Sequence, residues 1–280
     1  MKRLWVIVCV IGVGLTGGVG SAQESSGEEE AASAEVEESS GEEAASQQAE
    51  VEKPSARKVM DKLDDLYRSD SSQATMKMTV RKPRGTRTLT LENWTKGEEH
   101  ALVVIRKPAR ESGTATLRTP DGLWNYAPRA DRLIRIPSGM LSDNWMGSHF
   151  TNDDLMRESS YDEDYEGSVE AGERDGQKVW RLILEPKPNA PVVYSKLVFE
   201  VTRDHWVPLR TEYYDEGEVI RTMTYSNVEK VAGKRIPMVM TLKPADADDE
   251  MTRVTYEELE FDVDINDRMF SRRGLRRVAR

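Results

Sequence analysis

From Thr75 to Phe261 the chain alternates apolar and polar residues with period two, segment after segment, and nowhere alternates a strand with a helix-length pattern. Met76, Met78 and Val80 alternate with Thr75, Lys77 and Thr79; Leu89 and Leu91 follow a Pro83-Arg84-Gly85 turn; residues 100–106 form an apolar run ended by Pro108. Short strands are predicted at 114–118, 123–127 and 133–136, separated by Pro120-Asp121-Gly122 and Arg129-Ala130-Asp131. A second series follows at 165–171, 179–185, 194–201, 208–214, 219–228, 235–243 and 253–261. Its punctuation is Arg174-Asp175-Gly176, Asp215-Glu216-Gly217, Ala232-Gly233-Lys234 and residues 246–249. Many antiparallel strands joined by short turns give a meander that curls into a barrel or a strongly bent sheet. An amphipathic helix is expected ahead of it over 55–67, capped by Ser55, with Val59, Leu63 and Leu66 on one face.

One stretch breaks the series. Trp145, Met146 and Phe150 flank Gly147, and Thr151 stands three residues before Asp154 in the spacing of a capping box, with Asp where Glu or Gln is usual. A short helix is predicted to start there. An aromatic-rich insertion with a glycine at its bend has the form of a lid over an apolar pocket. Residues 140–155 resemble the segment typical of the outer-membrane lipoprotein-sorting family, the LolA-like periplasmic carriers, where a run of the type W-M-G-S-D-F-T-Y-E-D-L is expected. His149 departs from an acidic position, Asn152 from an aromatic one and Asp153 from Glu. The resemblance implies a mainly β (α+β) fold, an incomplete antiparallel β-barrel with helices over its open mouth.

The N-terminus has the form of a cleaved secretory signal over 1–22: Lys2 and Arg3, an apolar stretch from Leu4 to Leu15, then Gly20-Ser21-Ala22. The lone cysteine, Cys9, lies inside that stretch, which leaves the remaining chain without a disulfide or thiol nucleophile. Residues 23–54 are an acidic low-complexity tract in which Glu24-Ser25-Ser26-Gly27-Glu28-Glu29 returns as Glu38-Ser39-Ser40-Gly41-Glu42-Glu43. So few large apolar side chains cannot offset the entropy of ordering, so a disordered linker is expected. The folded domain is placed at 55–270 and a basic, solvated tail at 271–280. The net charge of −10 sits mostly in the leader region. Residues 1–53 hold 3 of the 40 Lys and Arg and 11 of the 50 Asp and Glu, leaving 37 basic and 39 acidic, a balance of −2. That balance gives no broad basic groove for nucleic acid.

His100, His149 and His205 form no metal-ligand array, and no nucleophile elbow, P-loop or dinucleotide fingerprint is present. The carboxylate neighbours Asp153 and Asp154, and Asp162 and Asp164, are expected on a solvated surface; the run Asp246, Asp248, Asp249, Glu250 is expected as a polar hairpin tip. No enzyme, metal or cofactor is therefore expected. The positive signal is soft and apolar. Met76, Met78, Met223, Met238 and Met240 fall on shared strand faces, and methionine adapts to ligands of variable shape. Together with Met140, Trp145, Met146 and Phe150 of the flap they form the expected ligand-binding set, against the plain alternative that a sheet's inner face is simply core.

The expected function is a monomeric periplasmic carrier of lipid or of lipoprotein acyl chains moving towards the outer membrane. The resemblance further implies an inner-membrane resistance-nodulation-type (RND or MMPL) exporter as partner. The alternative is a lipid-sensing regulatory module of envelope-stress signalling. Deleting residues 24–52 is expected to leave the thermal midpoint of unfolding nearly unchanged, measured by circular dichroism; a large drop would show that the tract packs on the domain.

Overall fold

A computed structural model describes residues 52–280, except 68, 98, 157–160 and 191. The expected signal segment and nearly all of the acidic tract lie outside the described residues.

The helix α1 (Ala56–Tyr67) forms where the 3.6-residue pattern places it, and the Ser55 hydroxyl accepts a hydrogen bond from the Lys58 amide at 3.2 Å. All thirteen anticipated strands are present. They are β1 (Ser71–Lys82), β2 (Gly85–Lys96), β3 (His100–Lys107), β4 (Ala115–Thr119), β5 (Gly122–Ala127) and β6 (Arg132–Arg135), then β7 (Tyr165–Arg174), β8 (Gln177–Pro186), β9 (Lys196–Thr202), β10 (Pro208–Asp215), β11 (Glu218–Val231), β12 (Lys234–Pro244) and β13 (Met251–Phe261). They join in one antiparallel sheet, ordered β6-β5-β4-β3-β2-β1-β13-β12-β11-β10-β9-β8-β7. The sheet is not closed: its free edges are β6 and β7, and these are consecutive in the chain. The connection between the two edges, residues 136–164, contains the flap segment 140–155.

The sheet is bent, as its core requires. From β3 round to β7 lie ten neighbouring strands, about 45 Å if laid flat at a spacing of roughly 4.8 Å. Yet Val103 and Ile105 of β3, Met76 and Met78 of β1, Met223 of β11 and Val169 of β7 belong to one continuous cluster of buried side chains. A flat sheet could not bring them together. Val59, Met60 and Leu63 of α1 enter the same cluster. Gly167 of β7 makes that approach possible, since a Cβ there would stand 2.7 Å from the Ala56 Cβ.

A second cluster lies on the opposite face of β2 to β5, formed by Trp94, Leu102, Val104, Ala115, Leu117 and Tyr126 with Ile265, Phe270, Leu275 and Ala279. This corrects the reading of residues 271–280 as a solvated tail. They hold a helix, α4 (Arg272–Val278), capped by the Ser271 hydroxyl on the Gly274 amide at 3.0 Å, and Leu275 is fully buried. The cause is β3, which is apolar on both faces and needs cover on both. A Cβ at Gly274 would run into the carbonyl oxygens of Arg268 and Met269. Gly274→Ala is therefore expected to cost about 1–3 kcal/mol as an overpacked site, a fall of several degrees in thermal midpoint by calorimetry; an unchanged midpoint would show that α4 adds nothing to the fold.

Candidate functional site

The flap is built by local hydrogen bonds before it meets the sheet. A 3₁₀ turn at Trp145–Gly147 holds Met146 at φ 50° and Gly147 at φ 68°, a left-handed pair that reverses the chain at the glycine. The Trp145 amide donates to the Phe150 carbonyl at 2.7 Å, and Asn144 bridges Thr151. The capping box forms as the spacing predicts: the Thr151 amide donates to Asp154 Oδ2 at 2.8 Å and the Asp154 amide to Thr151 Oγ1 at 3.2 Å. It opens the short helix α2 (Asn152–Met156). Asn152, where the family pattern is aromatic, donates instead to the Met140 carbonyl at 3.0 Å.

Several contacts pin this loop to the sheet. The deepest is an ion pair. Arg221 of β11 grips Asp154 with both guanidinium nitrogens, at 2.6 and 2.9 Å, and the two side chains are only 9% and 2% exposed. The guanidinium also lies 4.2 Å from the Tyr213 ring centre and 4.7 Å from that of Tyr194. Burial pushes the Arg221 pKa down, and the charge and hydrogen bonds of Asp154 more than reverse it. The second contact is His149, whose amide donates to Thr252 Oγ1 at 3.0 Å while its ring nitrogens lie 2.8 Å from that hydroxyl and 2.9 Å from Glu250. Thr252 can thus give its own proton to Nδ1, leaving the Nε2 hydrogen for the Glu250 carboxylate. The third is the Trp145 indole, donating to Thr116 Oγ1 at 3.0 Å, and the fourth is Arg87, donating to the Met146 carbonyl.

Two sequence expectations need correcting here. Asp154 does not lie on a solvated surface: it is buried, its charge neutralised by Arg221. Glu250 is not merely part of a polar tip, since it holds His149. Sequence reasoning missed Arg221 because its partner is 67 residues away, and only a lone arginine in an otherwise alternating strand marked it.

Of the expected binding set, Trp145, Phe150, Met76 and Met78 come together. With Leu91, Val103, Asp154, Leu155 and Val254 they surround a cavity of about 30 Å³. Met146 packs against this core, half-buried. Met223, Met238 and Met240 are buried in the same cluster, yet they do not line the cavity. Met140 is 46% exposed and takes no part in the core. Asn93, cross-strand from Val103 in the β2–β3 register, has both amide atoms buried without a hydrogen-bond partner among the described residues. Among those residues no group of three His, Cys, Asp or Glu side chains is placed to hold a metal ion, and no helix is long and apolar enough to cross a membrane.

A family model described as "Uncharacterized protein" matches residues 97–277. The chain belongs to that family. No curated protein matches it. Solved structures do. A domain from Vibrio parahaemolyticus described as an outer membrane lipoprotein-sorting protein is 23% identical, with a TM-score of 0.70 over 79% of this chain and 98% of that one. A DUF1329 family protein from Desulfovibrio piger is 22% identical, with a TM-score of 0.72 over 79% and 97%. A LolA superfamily protein from Nitrosomonas europaea is 23% identical, with a TM-score of 0.66 over 79% and 99%. The fold is thus the open LolA-like barrel that the flap segment suggested.

Removing one partner of a buried ion pair strands the other charge, so Asp154→Asn or Arg221→Met alone is expected to cost about 3–5 kcal/mol in urea unfolding. The double variant Asp154→Leu with Arg221→Met should cost clearly less than the sum. Single losses below about 1 kcal/mol would mean that the pair behaves as an exposed bridge.

Proposed function

We propose that the protein is a periplasmic carrier that shelters an acyl chain, of a lipid or of a lipoprotein, beneath the flap and passes it towards the outer membrane without covalent chemistry. The observation that carries this reading is the seating of Trp145 and Phe150 over Met76 and Met78 around one small apolar cavity, on the connection between the two free sheet edges. Export by a cleaved signal at 1–22, action as a monomer and delivery from an RND- or MMPL-type exporter complete the proposal, and the likeness to lipoprotein-sorting structures supports it.

A cavity of 30 Å³ is roughly one water molecule's share of liquid volume, while ligand sites commonly occupy about 300 Å³ or more. In this reading the flap is seated closed over that cavity. Loading requires Trp145 and Phe150 to lift and the methionines to change rotamer, which unbranched thioether chains do at low cost. Each buried methylene of the ligand returns about 0.8 kcal/mol, so a long chain offsets the lost flap contacts. Asn93, beside Val103, offers a donor and an acceptor for the ester end of such a chain. In this reading α1 and the flap are the helices over the barrel's mouth.

Replacing Trp145, Met146 and Phe150 together by serine is expected to weaken binding of a fluorescent fatty-acyl probe by a few kcal/mol at most, since part of the roughly 1.5–3 kcal/mol that full burial of a large side chain supplies goes to seating the flap on the sheet and not to the ligand. The far-ultraviolet spectrum should stay that of the sheet. Unchanged binding with an intact fold would remove the flap from the mechanism, and global unfolding would make these residues ordinary core.

A further inference from the structure

The C-terminal helix α4 is held on the sheet by its apolar side and turns arginines outward. From Arg268 to Arg280 there are six arginines and no acid. Arg268, Arg272, Arg273, Arg277 and Arg280 are exposed. Arg268, Arg273 and Arg277, with Ser271 and Gly274, line an open depression of about 550 Å³. Among the described residues no carboxylate is in ion-pair contact with Arg273 or Arg277.

This face continues onto the β5–β6 hairpin. The Arg272 guanidinium lies 4.0 Å from the Trp124 ring centre and that of Arg135, on the edge strand β6, 5.9 Å from it. Arg276 reaches Asp131 at 3.2 Å, and that carboxylate also accepts from Tyr126, so the acid nearest the helix is already engaged. Asp267 is likewise taken, by Lys96 at 2.6 Å. On the same edge Ile134 is 52% exposed, and Met140, where β6 runs on into the flap, is 46% exposed. The chain is nearly neutral over its folded part, so a patch of arginines whose neighbours Asp131 and Asp267 are already paired, flanked by an indole and two exposed apolar side chains, is a local asymmetry and not a reflection of composition.

We propose that this face, α4 with the β5–β6 hairpin, docks on an anionic phospholipid surface. Guanidinium groups pair bidentately with phosphate, and an aromatic ring with neighbouring apolar tips suits the headgroup boundary. The edge strand β6 leads directly into the flap, so docking there would set the flap connection against the bilayer. That last role rests on the carrier reading; the docking itself does not.

The test is sedimentation of the full chain with vesicles of phosphatidylcholine alone and of phosphatidylcholine mixed with phosphatidylglycerol, over a range of salt. Binding is expected only with phosphatidylglycerol, falling as salt rises. The variant Arg268→Gln, Arg273→Gln, Arg277→Gln should bind roughly a hundredfold more weakly, on about 1 kcal/mol per basic residue near an anionic surface. A variant of equal charge loss at the β1–β2 end, Lys77→Gln, Arg81→Gln, Arg84→Gln, should bind like the parent. Equal losses in the two variants, or binding that ignores phosphatidylglycerol, would overturn the proposal. Titrating an acyl probe into the same proteins separates the two readings: vesicle binding through the patch without probe uptake would sink the carrier and leave the docking face, and the reverse result would do the opposite.

Discussion

Arg221 and Asp154 are buried together across the space between strand β11 and the flap, and the position of the flap follows from them. Neither charge tolerates an apolar surround alone, and the bidentate geometry admits one relative placement of helix α2 and the sheet. Tyr194 and Tyr213 close over the guanidinium, and burial keeps the Tyr213 phenol well above its ordinary pKa, so it stays neutral beside the pair. Such a pair adds little net stability compared with an apolar substitute. What it supplies is register: with Asp154 fixed, Trp145 and Phe150 come down over Met76 and Met78 and nowhere else.

The remainder of the architecture answers a single packing demand. A thirteen-stranded open sheet has two free edges and a concave apolar face, and no disulfide holds it. Bending lets strands from distant places share one core; α1 and the flap fill it from within, and α4 covers the outer face of β2 to β5. The inner core is rich in methionine and the cavity under the flap is only about 30 Å³, so in the proposed carrier the space for a ligand there would be made by side-chain rearrangement and by release of the flap contacts. In that proposal the contacts that seat the flap are the ones a ligand would outcompete.

Much of this was legible in the sequence, for physical reasons that also explain what was not. Period-two alternation and turn residues marked every strand because a half-buried antiparallel sheet needs them, and Ser55 and Thr151 marked helix starts because a hydroxyl beside free amides has few other uses. The arginine-rich end was misjudged because charge dominates its composition. The signal that it must pack lay elsewhere, in the run Ala101 to Ile105, which is apolar on both faces of β3. The flap's pins were invisible because Arg221, Thr252 and Thr116 are distant in the chain and ordinary in kind. Whether a methionine lines a cavity or fills a core depends on curvature, which alternation does not encode; hence Met76 and Met78 reach the cavity while Met223, Met238 and Met240 do not.

The proposed function requires residues 140–155 to be a separable cover and not an inseparable part of the core. Native-state hydrogen exchange across the flap and the strands tests it most directly. The amides of Trp145, Phe150 and Asp154 should exchange through an opening of clearly lower free energy than those of β1 and β13, with that opening suppressed when an acyl chain is bound. Exchange of the flap amides only at the free energy of global unfolding, with or without a ligand, would contradict the account.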